Sequence, residues 1–373
     1  MRKLSLPQLK AYIANVVTEA KISNDSFSVT RDNIVGLVDK IGKLVTIDTY
    51  FANDKLSELE GEFLGLGKTI EEWQEDLYMV EDYSASGSGA LSPASSSYRP
   101  AFYSYTLGRK VIKVTIPNND IERACLSEAD FVSISAMKLK RLQDSMAVYR
   151  YGVKREMLGK FAGMAVTANT DSSATAFGSI STSTPVGTHV KYSTTNYGIL
   201  VKAWPSSNPP ANWAAAVAAG YIIEYDLVET LAVPVDTSTS EAFIKAVKES
   251  VEIASDISEG HSLNGNTLGA VEGLKLYVKQ GVMPVVQVDA LAGAFQKEEL
   301  AIPAELEVIK DFGNADSSIY AILVDKRGCK LHNTYNATRE NFNGDGDFLN
   351  LFRHTEDTAF ISRNVFIRVF KAS

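Results

Sequence analysis

The feature that most limits what this chain can fold into is a helical run from Ser127 to Ala165. Ser127, with Asp130 three residues later, offers a capping-box-like start before Phe131, Ile134 and Met137 open the apolar pattern. Met146, Tyr149, Val153, Met157, Phe161 and Met164 then recur every three or four residues, with Arg150, Lys154, Arg155 and Lys160 between them. That spacing predicts an amphipathic helix with one buried stripe and its cations solvated. Taken as continuous it spans about 55 Å at about 1.5 Å per residue, long for a compact globule, and Gln143 to Ser145 is where a break is expected. Gly152, Gly159 and Gly163 each cost about 1 kcal/mol relative to Ala in a helix interior, so tertiary packing has to hold the segment.

Around that helix the chain alternates helix and strand. Leu6 to Ala20 and Thr30 to Gly42 read as helices, and Lys43 to Tyr50 as a β-branched strand. Trp73 to Val80 and Tyr105 to Ile116 read as the two strands of a long hairpin, with the Ser, Gly and Pro-rich stretch Tyr83 to Pro100 as its tip. Thr167 to Gly187 is dominated by Ser, Thr, Ala and Gly. With Tyr192 to Trp204, a Pro-rich turn and Ala-rich helix over 205 to 219, and Tyr221 to Val235, it suggests a small module with its own minor core. That core would use Tyr197, Trp204, Trp213, Tyr221, Ile222 and Tyr225, lean on the body, and be removable without loss of the fold. Ser240 to Ile257 reads as a helix, Val282 to Val288 as a strand and Val288 to Gln296 as a short helix. Strands over 306 to 311, 319 to 325, 330 to 335 and 359 to 370 complete an α+β chain.

Composition removes several classes of function. A net charge of -8 and a pI near 5.2 leave no broad basic face for tight nucleic-acid binding. Two cysteines, Cys125 and Cys329, make neither a disulfide framework nor a zinc module. No apolar run is long enough for a membrane span, and no signal peptide is expected.

Candidate chemical motifs are weak. Gly67-Lys68-Thr69 resembles the end of a phosphate loop, but Glu62 stands where its first glycine belongs, and strand-like residues follow. Asn341, Asn343, Asp345 and Gly346 resemble the opening of a calcium loop, yet the closing position holds Phe352, so a turn between strands is the simpler reading. His189, His261, His332 and His354 show no metal-ligand spacing. No catalytic, cofactor or metal residue is therefore assigned, and no enzyme is expected.

Four collinear runs do carry a resemblance. Leu37-Val-Asp-Lys-Ile-Gly42, Gly67-Lys-Thr-Ile-Glu-Glu72, Val288-Asp-Ala-Leu-Ala-Gly-Ala-Phe295 and Ala321-Ile-Leu-Val-Asp-Lys326 resemble, in order, segments of the phi-29-like podophage major capsid proteins. Ser362-Arg363-Asn364, placed in the last strand, continues the pattern. In that family Arg stands where Lys68 does, which further weakens the phosphate-loop reading.

The resemblance implies a Hong Kong 97-like capsid fold, with 1–66 as N-terminal arm and helices, 67–116 as extended loop and 117–169 as peripheral domain with its spine helix. It makes 170–226 an inserted surface module, 227–320 the axial domain and 321–373 strands returning to the peripheral domain. It further implies pentamers and hexamers of an icosahedral or prolate head around double-stranded DNA, a separate scaffolding protein and portal, weak nonspecific DNA contact, and virion capsids assembled in the host cytoplasm. No cofactor and no membrane are implied. The alternative on the same fold is an encapsulin-like nanocompartment shell enclosing an enzyme cargo.

Overall fold

The computed structural model describes residues 54–65, 69–75, 98–103, 107–117, 128–267, 269, 273–284, 286, 304–346 and 348–373. The elements expected over 6–20, 30–42, 43–50 and 288–296, and the cap at Ser127, lie outside them. The chain divides into two compact units, one of 1–53, 111–148 and 337–354 and the other of 54–110, 149–336 and 355–373.

The long helix α1 is one uninterrupted element, Glu128–Ala168, of 41 residues. The break expected at 143 to 145 does not occur. Ser145 Oγ bonds the Arg141 carbonyl one turn back at 2.8 Å, so its hydroxyl is absorbed by the helix instead of competing with it. Met157, Leu158, Phe161, Ala162 and Ala165 on its second half are buried.

In the second unit these side chains meet a five-stranded mixed sheet. Its strands are β8 (Val228–Leu231), β11 (Leu274–Lys279), β12 (Glu305–Ile309), β13 (Ile319–Asp325) and β16 (Ile367–Ala372), in the order β12-β11-β13-β16-β8. β11 and β12 are parallel, as are β16 and β8, while β13 runs antiparallel to both of its neighbours.

Alternation along each strand sorts the core into two layers. Tyr277, Ile322, Val324, Ile367 and Val369 face the cluster that contains α1. Leu274, Leu276, Val278, Leu323, Phe366 and Phe370 face Phe243, Ile244 and Val247 of a second helix, Thr237–Ala254. Covering both faces explains why every residue of β13 is buried and why it reads as a continuous apolar run.

The second helix starts three residues before the expected Ser240. Asp236 caps it, accepting from Thr239 N at 2.8 Å, while the Thr239 hydroxyl lies 3.1 Å from Asp236 N, a reciprocal capping box.

The segment between α1 and β8 folds as a four-stranded sheet, β4 (Thr175–Ala176), β5 (His189–Lys191), β6 (Tyr197–Leu200) and β7 (Ile222–Glu224), with α2 (Trp213–Ala218) between the last two. The helix of 237–254 is thus α3. One side of this sheet builds a minor core from Val190, Leu200, Trp204, Trp213, Ala216 and Ile222. The other side contributes Tyr197, Ile199, Ile223 and Tyr225 to the main core. The segment therefore has a small core, as expected, but Tyr197 and Tyr225, expected within it, belong to the main core instead. β9 (Ser258–Ser262) and β10 (Gly265–Thr267) form a short hairpin beyond α3.

The remaining strands are β1 (Ile70–Glu75), β2 (Tyr98–Tyr103), β3 (Lys110–Pro117), β14 (Cys329–Asn343) and β15 (Phe348–Ile361). β1 pairs with β2 from Ile70↔Tyr103 to Glu75↔Tyr98. The hairpin expected from 73–80 thus exists, but its return strand is 98–103 and not 105–116. β3 instead joins a three-stranded sheet in the order β14-β15-β3.

Two further expectations are corrected. Residues 282–284 and 286 are helical, not extended. The strand expected over 359–370 is two strands, because Ser362 to Phe366 form a bend that ends β15 and redirects the chain into β16.

In the first unit, Thr115 Oγ1 donates to Asn350 Oδ1 at 2.7 Å across the sheet, and the Lys113 ammonium sits 5.6 Å from the Phe352 ring centre.

Candidate functional site

The part of the molecule most suited to a function is the root of the β1–β2 hairpin. The segment 54–64 leads toward it and is laid along β14 as an extra, irregular strand. Asp54 Oδ1 accepts from Leu56 N at 2.9 Å, which starts a 3-10 turn over Ser57–Leu59 and drives Leu56 and Leu59, 0% and 2% exposed, into the main core. Glu60 then bridges in parallel to Leu331, Gly61 N donates to Leu331 O at 2.9 Å, and Leu64 N donates to Asn333 O at 3.0 Å. His332 lies across Gly61 so closely that a Cβ there would come within 2.4 Å of its ring, so a larger residue would have to displace the imidazole. Its Nδ1 sits 3.0 Å from the Glu62 carbonyl, and donates there as the Nδ1–H tautomer.

Electrostatics bind the same segment to α1. The Lys154 side chain is 0% exposed, with its ammonium 2.5 Å from Asp54 Oδ2 and 2.9 Å from Glu60 Oε1. Arg150, one turn earlier, bonds Glu60 Oε1 at 3.1 Å and lies 3.3 Å from Asp357 through Nε. Arg155 bonds Asp311 at 2.9 Å. Of the helix cations expected to be solvated, Arg150, Lys154 and Arg155 instead meet carboxylates of the 54–60 segment, Asp357 and the 311 loop, while Lys160 keeps an exposed position.

On the sheet side, the Tyr277 hydroxyl donates to Glu58 Oε1 at 2.7 Å, Lys275 pairs with the same carboxylate, and Lys330 Nζ donates to Glu58 O at 2.8 Å. Burial, and then the Glu58 carboxylate, push the Tyr277 phenol far above its ordinary pKa, so it remains a donor. The arrangement ties the 54–60 segment to both α1 and the main sheet through ion pairs and hydrogen bonds.

Residues singled out by motif are not brought together. Gly67 and Lys68 lie outside the described residues, while Thr69 is exposed and leads directly into β1, not into a helix. Asn343 Oδ1 accepts from Asp345 N and Gly346 N, both at 3.0 Å, so 341–346 is an Asx-type turn closing the β14–β15 hairpin. His189 lies 3.3 Å from the Tyr225 hydroxyl, His261 stacks on Phe366, and His354 stacks on Phe352. Cys329 is buried and its thiol is held protonated by that burial, while Cys125 lies outside the described residues. Among the described residues no group of three or more His, Cys, Asp or Glu is placed to hold a metal ion, and no helix is long and apolar enough to cross a membrane.

Sequence reasoning passed over Asp54, Glu58 and Glu60. The available signal was the Arg150/Lys154 pair at i,i+4 on one helix face, which needs anions from elsewhere if that face is covered.

A two-faced mixed sheet under a long helix, with a separate two-stranded hairpin, matches known shells. A chain of the capsid structure of Staphylococcus phage Andhra is similar at 11% identity and a TM-score of 0.53, over 86% of this chain and 84% of that one. A chain in the structure of the head fiber and inner core protein gp22 of native bacteriophage P68 is similar at 12% identity and a TM-score of 0.55, over 88% of this chain and 86% of that one. These likenesses define the class as a phage capsid fold of the Hong Kong 97 type. The sequence model of the Phi29-like phage major capsid protein matches residues 1–371, and the chain belongs to that family. No curated protein matches it. It is a structural protein that associates with copies of itself in the capsid shell of a phage virion, and the enzyme-enclosing nanocompartment finds no support.

Proposed function

We propose that this capsid protein builds the pentamers and hexamers of an icosahedral or prolate head around double-stranded DNA, and that the β1–β2 hairpin is the arm extending over a neighbouring subunit. The observation that carries the reading is the hairpin itself. It is a two-stranded sheet with no third strand among the described residues, and isolated pairs of strands are at best marginally stable in water. Its root is pinned by Leu56, Leu59 and the Lys154 charge cluster, so the body holds one end firmly. A neighbouring subunit would supply the missing support for the rest.

On this reading 67–116 is the extended loop, 117–169 and 321–373 the peripheral domain, 227–320 the axial domain, and 170–226 a module on the shell surface. A net charge of -8 favours only weak, nonspecific contact with packaged DNA. A separate scaffolding protein and a portal complete the assembly set, and heads form in the host cytoplasm without covalent links between subunits or catalysis by the chain.

Deleting Ser84 to Ser97 should leave a folded, soluble subunit that forms no closed shells in negative-stain micrographs. Normal particles from that deletion would overturn the assignment.

A further inference from the structure

The three-stranded sheet β14-β15-β3 has one covered and one open face. Along β3, Val111, Lys113 and Thr115 are exposed while Ile112 and Val114 are half-buried, so the odd positions look outward. Thr115 is bonded to Asn350, and the Lys113 ammonium lies 5.6 Å from the Phe352 ring centre, which places 350, 352 and 354 of β15 on that open face. His354 stacks on Phe352 at a ring-centre distance of 6.4 Å with 22° between the planes, whereas Leu351, on the opposite face, is buried. Arg353, on the Leu351 side, donates to Thr338 Oγ1 at 2.7 Å. Alternation along β14 then puts Arg339 on the open side with Lys113 and Phe352.

The charge of this face is unlike that of the chain. Every second residue over 111–115, 337–341 and 350–354 belongs to it, and these include Lys113, Arg339 and His354 but no Asp or Glu, in a chain of net charge -8. Lys113 and Arg339 are exposed, and neither meets a carboxylate among the described residues.

The opposite charge is concentrated around the β1–β2 hairpin. Residues 67–103 hold six carboxylates, Glu71, Glu72, Glu75, Asp76, Glu81 and Asp82, against two cations, Lys68 and Arg99. The two faces of β1 are used differently. The Ser362 hydroxyl donates to Glu72, whereas Glu71 and Trp73, which share the other face, are exposed, Trp73 at 64%. That strip offers what the open sheet face lacks, a carboxylate for Lys113 or Arg339 and an indole for the Phe352–His354 stack or the Arg339 guanidinium. DNA phosphates would meet the same cations, but two full charges per subunit allow few phosphate contacts, whereas a strip of carboxylate and indole engages charges and rings together.

We propose that the open face of the β14-β15-β3 sheet, through Lys113 and Arg339 beside the Phe352–His354 stack, receives the acidic arm of a second copy, with Glu71 and Trp73 as its contacts. The proposal rests on the reading of the β1–β2 hairpin as an arm over a neighbouring subunit, and adds the surface on which that arm lands.

The test is a charge swap in the full-length chain, under conditions in which the parent forms closed shells, with shells counted by sedimentation and negative-stain microscopy. Lys113→Glu combined with Arg339→Glu, and separately Glu71→Lys, should each lower the yield of shells about tenfold or more, because each sets like charges against one another. The chain carrying all three substitutions should recover to within about threefold of the parent. Trp73→Ala should lower the yield as well. Thermal melting checks that each variant folds as the parent does, as expected for changes at exposed positions. Undiminished shells from either reversal, or a triple variant no better than the reversals, overturns the proposal, and the arm reading survives that failure if deletion of Ser84 to Ser97 still abolishes shells. Normal shells from the deletion remove both. A Lys113→Glu, Arg339→Glu chain that builds normal shells but loses binding of duplex DNA, read by fluorescence anisotropy at low salt, would assign the face to DNA and likewise overturn the proposal.

Discussion

Lys154 and its two carboxylates give an asymmetric prediction. The ammonium has 0% exposure, whereas Asp54 and Glu60 keep 23% and 42% of their side chains exposed. Replacing the lysine with methionine leaves two carboxylates that can rehydrate, and Glu60 also keeps Arg150 at 3.1 Å. Methionine is close to lysine in length and volume, so the loss should be below about 1.5 kcal/mol. The pair Asp54→Asn and Glu60→Gln does the reverse, leaving a buried cation without an anion at nearly unchanged volume. Breaking a buried ion pair from one side costs about 3–5 kcal/mol, the upper end applying where the remaining charge has no route to water. Urea unfolding of the soluble subunit at pH 7, followed by tryptophan fluorescence and circular dichroism, measures both changes. The double variant should be clearly the less stable, and the gap should persist in high salt because buried pairs are poorly screened. A Lys154→Met protein as unstable as the double variant would refute the account, since the cluster would then stabilise through the lysine's own attraction and not through its desolvation.

Phe161 is 0% exposed in the main core, so Phe161→Asp should yield no folded subunit by circular dichroism. Gly159→Ala should destabilise despite the better helix propensity of Ala, because the new Cβ would lie 2.0 Å from the Phe312 carbonyl; an equal or raised melting temperature would contradict the close packing of that loop. Replacing 170–226 with a short Gly/Ser linker removes Tyr197, Ile199, Ile223 and Tyr225 from the main core and should leave the protein insoluble or molten. Burial alone would raise the pKa of the Asp226 carboxyl, but hydrogen bonds and charge from His261 and Arg368 hold it down to about 2, below the ordinary carboxylate range. Its folded pKa lies below its unfolded one, so its stabilisation is present above about pH 4 and fades as pH falls toward about 2. The effect is small because the side chain is 54% exposed, and Asp226→Asn should flatten the urea midpoint over that window only.

The elements most legible in the sequence were those whose local signals agree. β13 has the bounds expected, Ile319–Asp325, because a fully buried strand shows an unbroken apolar run. α1 was legible from its stripe, while its continuity and the pairing of Arg150, Lys154 and Arg155 were not. Misreadings arose where local preference and pairing disagree. Tyr105 to Ile116 is the stronger strand by composition, but the hairpin takes Tyr98–Tyr103, whose Pro100 is tolerated in an edge strand. The first turn of α3 was hidden in Thr237 to Ser240, residues equally at home in a loop until Asp236 caps them. Val282 to Val286 is a short apolar stretch, for which periodicity does not separate strand from helix. The hairpin root was least visible, since Asp54 and Lys154 are 100 residues apart and nothing local marks them as partners.

The main sheet sets a timetable for the nascent chain. β8 and α3 are made early, but among the described residues β8 pairs with β16 alone, which also pairs with β13. Until Ile367–Ala372 is synthesised and clear of the ribosome, β8 has no partner in this sheet and β13 has one edge unpaired. At about 5–20 residues per second, that interval lasts many seconds to half a minute. Over this time Phe243, Ile244 and Val247 lack the Phe366 and Phe370 layer that will cover them. A chain with so late a closing strand is exposed to strand-edge aggregation during synthesis, and its yield should follow the supply of general chaperones more closely than the stability of the finished subunit.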